Sequence, residues 1–307
     1  MPTTATISPV SVASVRSAVH PRDSGAQSPH RGGLSCQDLR LAYPSSGVVV
    51  DGASVVLRAG QVTALVGPNG SGKSTLLRAL ARLHVPVVGR VVLCGSDGAE
   101  EAALGLSRRA FAQRVTMLAQ SRPTPGGISV REVVELGRHP YRGRLRANDP
   151  GGPAVVRRAL AVTGTEDLAG HAVDELSGGQ LQRVWIAACL AQDTDVLLLD
   201  EPISFLDLRY QVEILDLIRD LADDHGVAIG VVLHDLDQAA AVADTVALMD
   251  QGRVRRVGSP HEVLTADELS ATYGITVEVH RDAATDALRT RAIGRHASRT
   301  WAAGSPA

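Results

Sequence analysis

Gly67-Pro68-Asn69-Gly70-Ser71-Gly72-Lys73-Ser74 is the most informative segment of this sequence, because it matches the pattern G-x-x-x-x-G-K-[ST] in full. The apolar segment before it has the pattern of a strand, and the segment that starts at Lys73 has the pattern of a helix. Glycines let a backbone wrap closely around an anion, and the N–H groups at a helix start add positive potential. An ordinary glycine-rich turn would need neither the lysine nor this context. The stretch, here named the phosphate loop, therefore predicts a site for a nucleotide phosphate.

Two side chains of the phosphate loop have a predicted chemical role. The chain of 307 residues has 31 basic residues, and Lys73 is its only lysine, so this position favours a compact ammonium over a planar guanidinium. We expect Lys73 to reach the β and γ phosphates and the Ser74 hydroxyl to ligate Mg²⁺. Thr75, in the same turn, is a further candidate for nucleotide binding.

Two adjacent carboxylates, Asp200 and Glu201, follow the short apolar run Val196–Leu199. Successive side chains of a strand point in opposite directions, so the two acids are expected to have different roles. We predict that Asp200 holds Mg²⁺ and that Glu201 orients and deprotonates an attacking water. Taken alone, the pair could equally be a solvated strand end, but a complete phosphate loop in the same chain favours the catalytic interpretation.

A second glycine-rich segment, Leu176-Ser177-Gly178-Gly179-Gln180, also precedes a predicted helix. A serine hydroxyl and two glycines at a helix N-terminus form a concavity that can bind an anion. A protein with two such concavities could hold a triphosphate between two copies of itself.

Composition argues against several other classes of protein. The formal net charge is -2, which gives no sign of a nucleic-acid-binding surface. No apolar run approaches the roughly 18 residues that a membrane span requires. Cys36, Cys94 and Cys189 are too widely spaced for a zinc site or a disulfide framework, which suggests a reducing compartment.

Short apolar runs alternate with helical patterns through most of the chain, which predicts an α/β fold with a parallel core sheet. Residues 1–33 are rich in Ser, Pro, Thr, Ala and Arg and are predicted to be disordered. The pattern is lost beyond about Asp282, so residues 283–307 are predicted to be an irregular tail.

The phosphate loop, the acidic pair and the segment Leu176–Gln180 together resemble the ATP-binding cassette (ABC) family, whose signature is LSGGQ. The resemblance covers residues 34–278. It implies a P-loop NTPase core with a mostly parallel sheet, an antiparallel β subdomain and a helical subdomain over about 95–180, within a cassette of residues 34–282. It also implies ATP rather than GTP, Mg²⁺, and a dimer in which two cassettes enclose two ATP molecules.

The same resemblance assigns roles to residues that would be unremarkable by themselves. Tyr43 matches an aromatic that stacks on adenine, and Gln120 matches a glutamine that senses Mg²⁺ and the γ-phosphate. Asp207 matches a loop that crosses the dimer interface, and His234 matches a histidine on the γ-phosphate, with a catalytic role. Two departures, Ile203 for threonine after Glu201 and Leu181 after the signature, concern the dimer interface. The signature residues Ser177, Gly178, Gly179 and Gln180 are then expected to contact the nucleotide of the other copy.

Finer similarity favours the importers of iron–siderophore complexes and their relatives for vitamin B12, haem or metal ions. It rests on Ser107-Arg108-Arg109, Gly137-Arg138-His139-Pro140-Tyr141 and Asp174–Gln180. It implies integral membrane permease subunits as partners, a substrate-binding protein acting indirectly, and a peripheral position on the cytoplasmic face of the plasma membrane. The segments Arg122–Val134 and Gly137–Arg144 are the expected permease contact.

Two other functions fit the ATP motifs less well. A non-transport cassette protein of translation or DNA repair would be expected to carry two cassettes or long coiled-coil insertions, and this chain has neither. A silent regulatory module would not need the full set of Lys73, Asp200, Glu201 and His234. No nucleic acid is expected as a partner.

Overall fold

The computed structural model of the protein describes residues 32–95, 97–120, 126–142 and 149–295. Its strands are β1 (Gly33–Tyr43), β2 (Gly47–Leu57), β3 (Val62–Val66), β4 (Val88–Cys94), β5 (Glu100–Ala102), β6 (Val115–Leu118), β7 (Val196–Asp200), β8 (Ala228–Val232), β9 (Thr245–Asp250), β10 (Arg253–Gly258), β11 (Thr276–Arg281) and β12 (Leu288–Ile293). Its α-helices are α1 (Lys73–Leu80), α2 (Arg108–Ala112), α3 (Val130–Leu136), α4 (Gly152–Val162), α5 (Gly178–Ala191), α6 (Leu208–Asp223), α7 (Leu236–Val242), α8 (Pro260–Val263) and α9 (Ala266–Tyr273).

The central sheet has the strand order β10-β9-β3-β8-β7-β6. All its pairs are parallel except the hairpin β9–β10, which confirms the mostly parallel core. Every residue of β3, β7 and β8 is buried, which explains why these strands are mostly apolar rather than alternating; the buried polar exceptions are Thr63 and Asp200. Because parallel strands end at the same edge, the segments that follow β3, β8, β7 and β6 meet there.

A separate antiparallel sheet, β2-β1-β4-β5, confirms the predicted β subdomain. Its inner face includes Leu41 and Leu57, which lie in one buried cluster with Leu77 of α1 and with Leu198 and Val232 of the central sheet. Each such side chain contributes roughly 1.5–3 kcal/mol by leaving water. This shared core fixes the β subdomain beside the helix that follows the phosphate loop.

The helices α3, α4 and α5 form the helical subdomain around a core of their own, which includes Val133, Leu160 and Val184. The predicted start of this subdomain near residue 95 is wrong. Residues 100–102 form β5 at the edge of the antiparallel sheet, and Val115–Leu118 forms β6, which pairs with β7. A four-residue apolar run reveals its strand only when a partner strand lies beside it.

The predicted irregular tail, residues 283–307, is also wrong in its first part. Leu288–Ile293 forms β12, which pairs antiparallel with β11, so the ordered fold continues past Asp282. The sequence pattern did not indicate this strand, because Leu288 is its one buried residue and the arginines Arg289 and Arg291 are exposed. Residues 296–307 lie outside the described residues.

Two further predictions concern the first residues of the chain and the possibility of a membrane span. The predicted disordered segment, residues 1–33, lies outside the described residues up to residue 31, and Gly33 already belongs to β1. Among the helices that the structure describes, none combines the length and the apolar character that crossing a bilayer requires.

Candidate active site

The phosphate loop joins β3 to α1 and depends on its glycines. Gly67, Gly70 and Gly72 have φ angles of 141°, 78° and 97°, a region that L side chains rarely adopt. A Cβ on Gly67 would lie 2.0 Å from the carbonyl oxygen of Met249, and one on Gly72 would lie 2.8 Å from Cγ2 of Val50. The loop is therefore pressed against β9 and β2, and only glycine fits these two positions.

Lys73 is the first residue of α1, and its side chain is only 5% exposed despite its charge. The Nζ atom donates hydrogen bonds to the carbonyl oxygens of Gly67 and Pro68, both at 2.8 Å. Burial lowers the pKa of Lys73, and the carboxylates of Glu201 and Asp200 oppose that effect. The ammonium therefore lies inside the loop, where an anion held by the loop's N–H groups would meet it.

The other loop residues differ in exposure. Asn69 and Gly70 are exposed at the tip, whereas Ser71 is buried and Thr75 is half-buried in the first turn of α1. The predicted nucleotide-binding stretch therefore has an exposed tip and a buried base, and Lys73 lies in the buried base.

Ser74 and Asp200 meet although 126 positions separate them in the sequence. The Ser74 hydroxyl donates to Oδ1 of Asp200 at 2.7 Å. The other oxygen, Oδ2, is buried without a hydrogen-bond partner within the described residues, and the guanidinium of Arg78 stands 3.9 Å away. Desolvation raises the pKa of Asp200, which the Ser74 hydrogen bond partly offsets. A buried carboxylate oxygen without a donor, beside a hydroxyl, is a donor set that suits Mg²⁺.

Glu201 is held by side chains from three other places in the chain. His234 Nε2 lies 2.6 Å from Oε1, and Gln120 Nε2 donates to Oε2 at 2.5 Å. The hydroxyl of Ser204 donates to the same Oε2 at 3.1 Å. The backbone of Glu201 has a φ of 52°, an uncommon value for a residue other than glycine and one that recurs at functional sites.

Asp200 and Glu201 contact different partners, because Asp200 is the last residue of β7 and Glu201 begins the turn after it with a φ of 52°. A cavity of about 200 Å³, lined in part by Glu201, Ser204 and His234, opens beside the second carboxylate and has room for water. A carboxylate fixed by several donors next to such a cavity can accept a proton from a water held there.

The signature segment lies apart from this cluster. Ser177 caps α5 in a reciprocal box: its Oγ accepts from the N–H of Gln180 at 3.3 Å, and its N–H donates to Gln180 Oε1 at 3.0 Å. A Cβ on Gly179 would lie 2.3 Å from the Tyr210 ring, so this glycine lets α5 approach α6 closely. Ser177 and Gly178 are exposed. No contact within the described residues joins the segment to Lys73.

Tyr43 and Asp207 also stand outside the cluster. Tyr43 ends β1, and its ring lies 4.5 Å from that of His84 at an angle of 49°. Asp207 directly precedes α6 without making a side-chain cap. Near it, Phe205 is 99% exposed and has a φ of 66°.

Sequence reasoning missed two residues of the site, Arg78 and Ser204. Arg78 lies four residues after Ser74 on α1, so helical spacing could have placed it on the same face. Ser204 lies three residues after Glu201, in a turn whose shape the sequence does not reveal. Gln120 is brought to Glu201 rather than to Ser74 or Asp200, so its predicted role as a metal ligand is not visible here.

Comparison with known proteins finds relatives among transport proteins. A family profile described as ABC transporter matches residues 50–204. The achromobactin transport ATP-binding protein CbrD of Dickeya dadantii is 41% identical over 81% of this chain and 90% of that protein. The ferric enterobactin transport ATP-binding protein FepC of Escherichia coli is 38% identical over 87% of this chain and 96% of that protein.

Solved structures give the same fold. An inward-facing metal-chelate type transporter has a chain that superimposes with a TM-score of 0.72 at 26% identity, over 85% of this chain and 97% of that one. A dimeric post-hydrolysis state of the cassette MJ0796, bound to ADP and Pi, gives a TM-score of 0.62 at 25% identity, over 74% of this chain and 98% of that one.

Proposed function

The chain belongs to the ABC transporter family, and on that premise we propose that it hydrolyses ATP to energise the uptake of a ferric siderophore across the plasma membrane. The relatives described above carry names that refer to siderophore transport. The observation that carries the ATPase part is the meeting of Lys73, Ser74, Asp200 and Glu201 with Gln120 and His234 at the carboxyl ends of the central strands.

Phosphate binding is proposed for the loop and its lysine. The exposed N–H groups and the start of α1 favour the phosphates, and the buried ammonium of Lys73 neutralises their charge. Ser74 and Asp200 would hold Mg²⁺, which supplies Lewis-acid stabilisation of phosphate charge when bound. Tyr43, at the end of β1, is proposed to cover the adenine.

Hydrolysis is proposed for Glu201. Its carboxylate accepts a proton from the water that attacks the γ-phosphate in line, and the hydrogen bonds from Gln120 and Ser204 keep it aimed. His234 lies 2.6 Å from the other oxygen of Glu201, and we propose that it contacts the γ-phosphate. Positioning and electrostatics rather than covalent catalysis therefore carry the proposed reaction.

A second copy of the chain is proposed to complete each site. Ser177 and Gly179 have no contact with the chain's own phosphate loop among the described residues, so they would serve the nucleotide of the other copy. Phe205, 99% exposed, and Leu208, 74% exposed, present apolar surface beside Asp207, which is typical of an interface. The dimeric state of MJ0796 supports this arrangement.

Permease subunits are proposed as the membrane partners, with the chain bound peripherally at the cytoplasmic face. Of the expected contact, residues 122–125 and 143–144 lie outside the described residues. The described part of the second segment is held by hydrogen bonds: Arg109 Nε donates to the Pro140 carbonyl at 2.7 Å, and the buried Arg138 forms two hydrogen bonds with Asp149. Because Arg109 lies in α2, this contact connects the loop after α3 to α2, and we propose that it transmits movement between cassette and permease. A substrate-binding protein would act through the permease.

The substitution Glu201→Gln tests the catalytic assignment. The amide cannot take a proton, so steady-state turnover should fall by about 10²–10⁴-fold while ATP binding is retained. Fluorescent-nucleotide binding and phosphate release measure the two quantities on the same sample. The matched control is Glu101→Gln, the same change on the exposed edge strand β5, which should leave both unchanged. Normal phosphate release by Glu201→Gln would reject the assignment.

The cargo is tested by uptake of radioactive iron as ferric siderophore in cells that lack the gene. Rescue by the wild-type chain but not by Glu201→Gln is the expected result. Normal uptake in the deletion strain would reject the siderophore, and parallel assays with haem, vitamin B12 and free metal ions would then identify the cargo. Co-fractionation with ribosomes or nucleic acid instead of membranes would favour a non-transport ATPase.

A further inference from the structure

The C-terminal hairpin β11–β12 contacts the helix that follows His234. His234 lies in the short link between β8 and α7, and its side chain is 42% exposed. The carboxylate of Asp235 accepts from the N–H of Gln238 at 2.9 Å and so starts α7 directly after the histidine. The position of His234 opposite Glu201 therefore depends on where α7 is held.

Apolar contacts of α7 come mostly from small side chains. Of its seven residues, Ala239 and Val242 are buried, and Leu236 and Ala240 are partly buried against the central cluster. A helix of two turns is marginal without tertiary contacts. Polar contacts to neighbouring elements therefore act together with this packing in fixing the helix.

The shortest hydrogen bonds among these contacts come from the hairpin. Asp237 Oδ1 accepts two hydrogen bonds from Thr290, one from its backbone N–H at 2.7 Å and one from its hydroxyl at 2.8 Å. The hairpin is itself anchored, because Val277 and Leu288 are buried in the cluster that contains the central strands. Asp237 lies three residues after His234, in the first turn of α7.

A second contact holds the other side of the same turn. Gln238 Nε2 donates to Gln211 Oε1 at 2.9 Å, and Gln211 Nε2 donates to the carbonyl oxygen of Leu206 at 2.9 Å. The first turn of α7 is thus held between the hairpin and the loop that carries Asp207. Neither contact includes a residue assigned to the nucleotide.

We propose that Asp237 and Thr290 are positioning residues, through which the C-terminal hairpin fixes α7 and thereby sets His234 against Glu201. The inference rests on the proposed ATPase function. It assigns a role in hydrolysis to a strand that lies outside the segment matched by the family profile, residues 50–204. Removing the contact loosens His234 and leaves Lys73, Ser74 and Asp200 with their own partners.

The test compares Thr290→Val, which deletes the hydroxyl, with Thr290→Ser, which keeps it. In the full chain, Thr290→Val should lower kcat by about fivefold with KM for ATP unchanged, since one of two hydrogen bonds to a carboxylate is lost. Thr290→Ser should restore kcat. Thr276→Val makes the same chemical change at an exposed position of β11 and should have no effect.

A spectroscopic readout separates positioning from general loosening. The imidazole ¹⁵N resonances of His234, assigned by their loss in His234→Gln, should shift in Thr290→Val and stay in place in Thr276→Val. Unchanged kcat and unchanged resonances in Thr290→Val would overturn the inference while leaving the ATPase function intact. If the wild-type chain showed no turnover, the proposed function would fail, and the resonances would still decide whether the hairpin positions His234.

Discussion

The phosphate loop and the signature segment are both glycine-rich starts of a helix, yet the structure builds them in different ways. In the phosphate loop three glycines have positive φ angles and Lys73 is buried. In the signature segment the backbone is regular, Ser177 and Gln180 form an ordinary capping box, and Ser177 is exposed. The first segment is built into the core of the chain, whereas the second leaves the side chain of Ser177 exposed at the surface.

The two segments therefore differ in how strongly the stability of the fold depends on them. A loop pressed against β9 and β2 cannot change without disturbing the core, because its backbone conformation is part of that core. A change at a capped helix start on the surface has a smaller effect on folding, about 1 kcal/mol when the capping side chain is lost. We therefore expect substitutions in the phosphate loop to affect stability and substitutions in the signature to affect turnover.

The largest expected effect is the difference in the free energy of unfolding between Gly67→Ala and Gly178→Ala. The new Cβ at Gly67 would meet the Met249 carbonyl oxygen at 2.0 Å with φ at 141°, so we expect a loss of roughly 3 kcal/mol or more in the free energy of unfolding. At Gly178 the nearest atom would lie 3.6 Å away, and alanine favours the helix by up to about 1 kcal/mol. Urea denaturation measures both, and equal losses would refute the contrast.

The second comparison, with a smaller expected effect, is between Ser177→Ala and Ser129→Ala. Both serines cap a helix by accepting from a backbone N–H at 3.3 Å within a capping box, so each variant should lose about 1 kcal/mol of stability. Only Ser177→Ala should also lower ATP turnover of the isolated chain, by about 10²-fold, because its hydroxyl is proposed to face a phosphate. Similar turnover in both variants would contradict the role proposed for the signature.

The smallest effect is expected for Gln180→Glu. This change gives α5 a capping box of serine and glutamate, like the box that Ser129 and Glu132 form at the start of α3. In α3 the backbone N–H of Ser129 lowers the pKa of Glu132, so the box is ionised at neutral pH. A carboxylate at position 180 should raise stability by about 0.3–1 kcal/mol, a gain present at neutral pH and lost as pH falls through the lowered pKa.

The same carboxylate would face the phosphates of a second copy's nucleotide. Repulsion should lower turnover by roughly tenfold and raise the KM for ATP. Thermal denaturation between pH 3 and 7, together with steady-state kinetics, measures both consequences. A stabilised variant with unchanged kinetics would mean that Gln180 lies away from the phosphate.

Much of the candidate site could be predicted from short sequence motifs and their immediate neighbours. The phosphate loop, the apolar run before Asp200 and the helix after the signature all lie in the strand or helix context that their motifs require. Each of these features depends on neighbours a few positions away, through side-chain alternation, capping and glycine dihedrals. Such short-range rules can be read from one sequence.

The errors lie where a segment depends on distant neighbours. The strand β12 has little apolar character and forms because β11 lies beside it, and β6 became part of the core sheet through β7. Arg78 could have been found by helical spacing, but the contact between Asp237 and Thr290 spans 53 positions and has no local signature.

Local sequence patterns were enough to predict a lysine in a glycine loop, two adjacent acids at the end of a strand, and the order of the motifs along an α/β chain. Which of these residues meet, and that Lys73 is buried, depends on the tertiary structure. The strand order β3-β8-β7-β6 brings Ser74 to Asp200 and brings His234 and Gln120 to Glu201, while it leaves the signature apart. The reason is physical: local preferences act over a few residues, whereas strand order arises from burying many apolar faces at once.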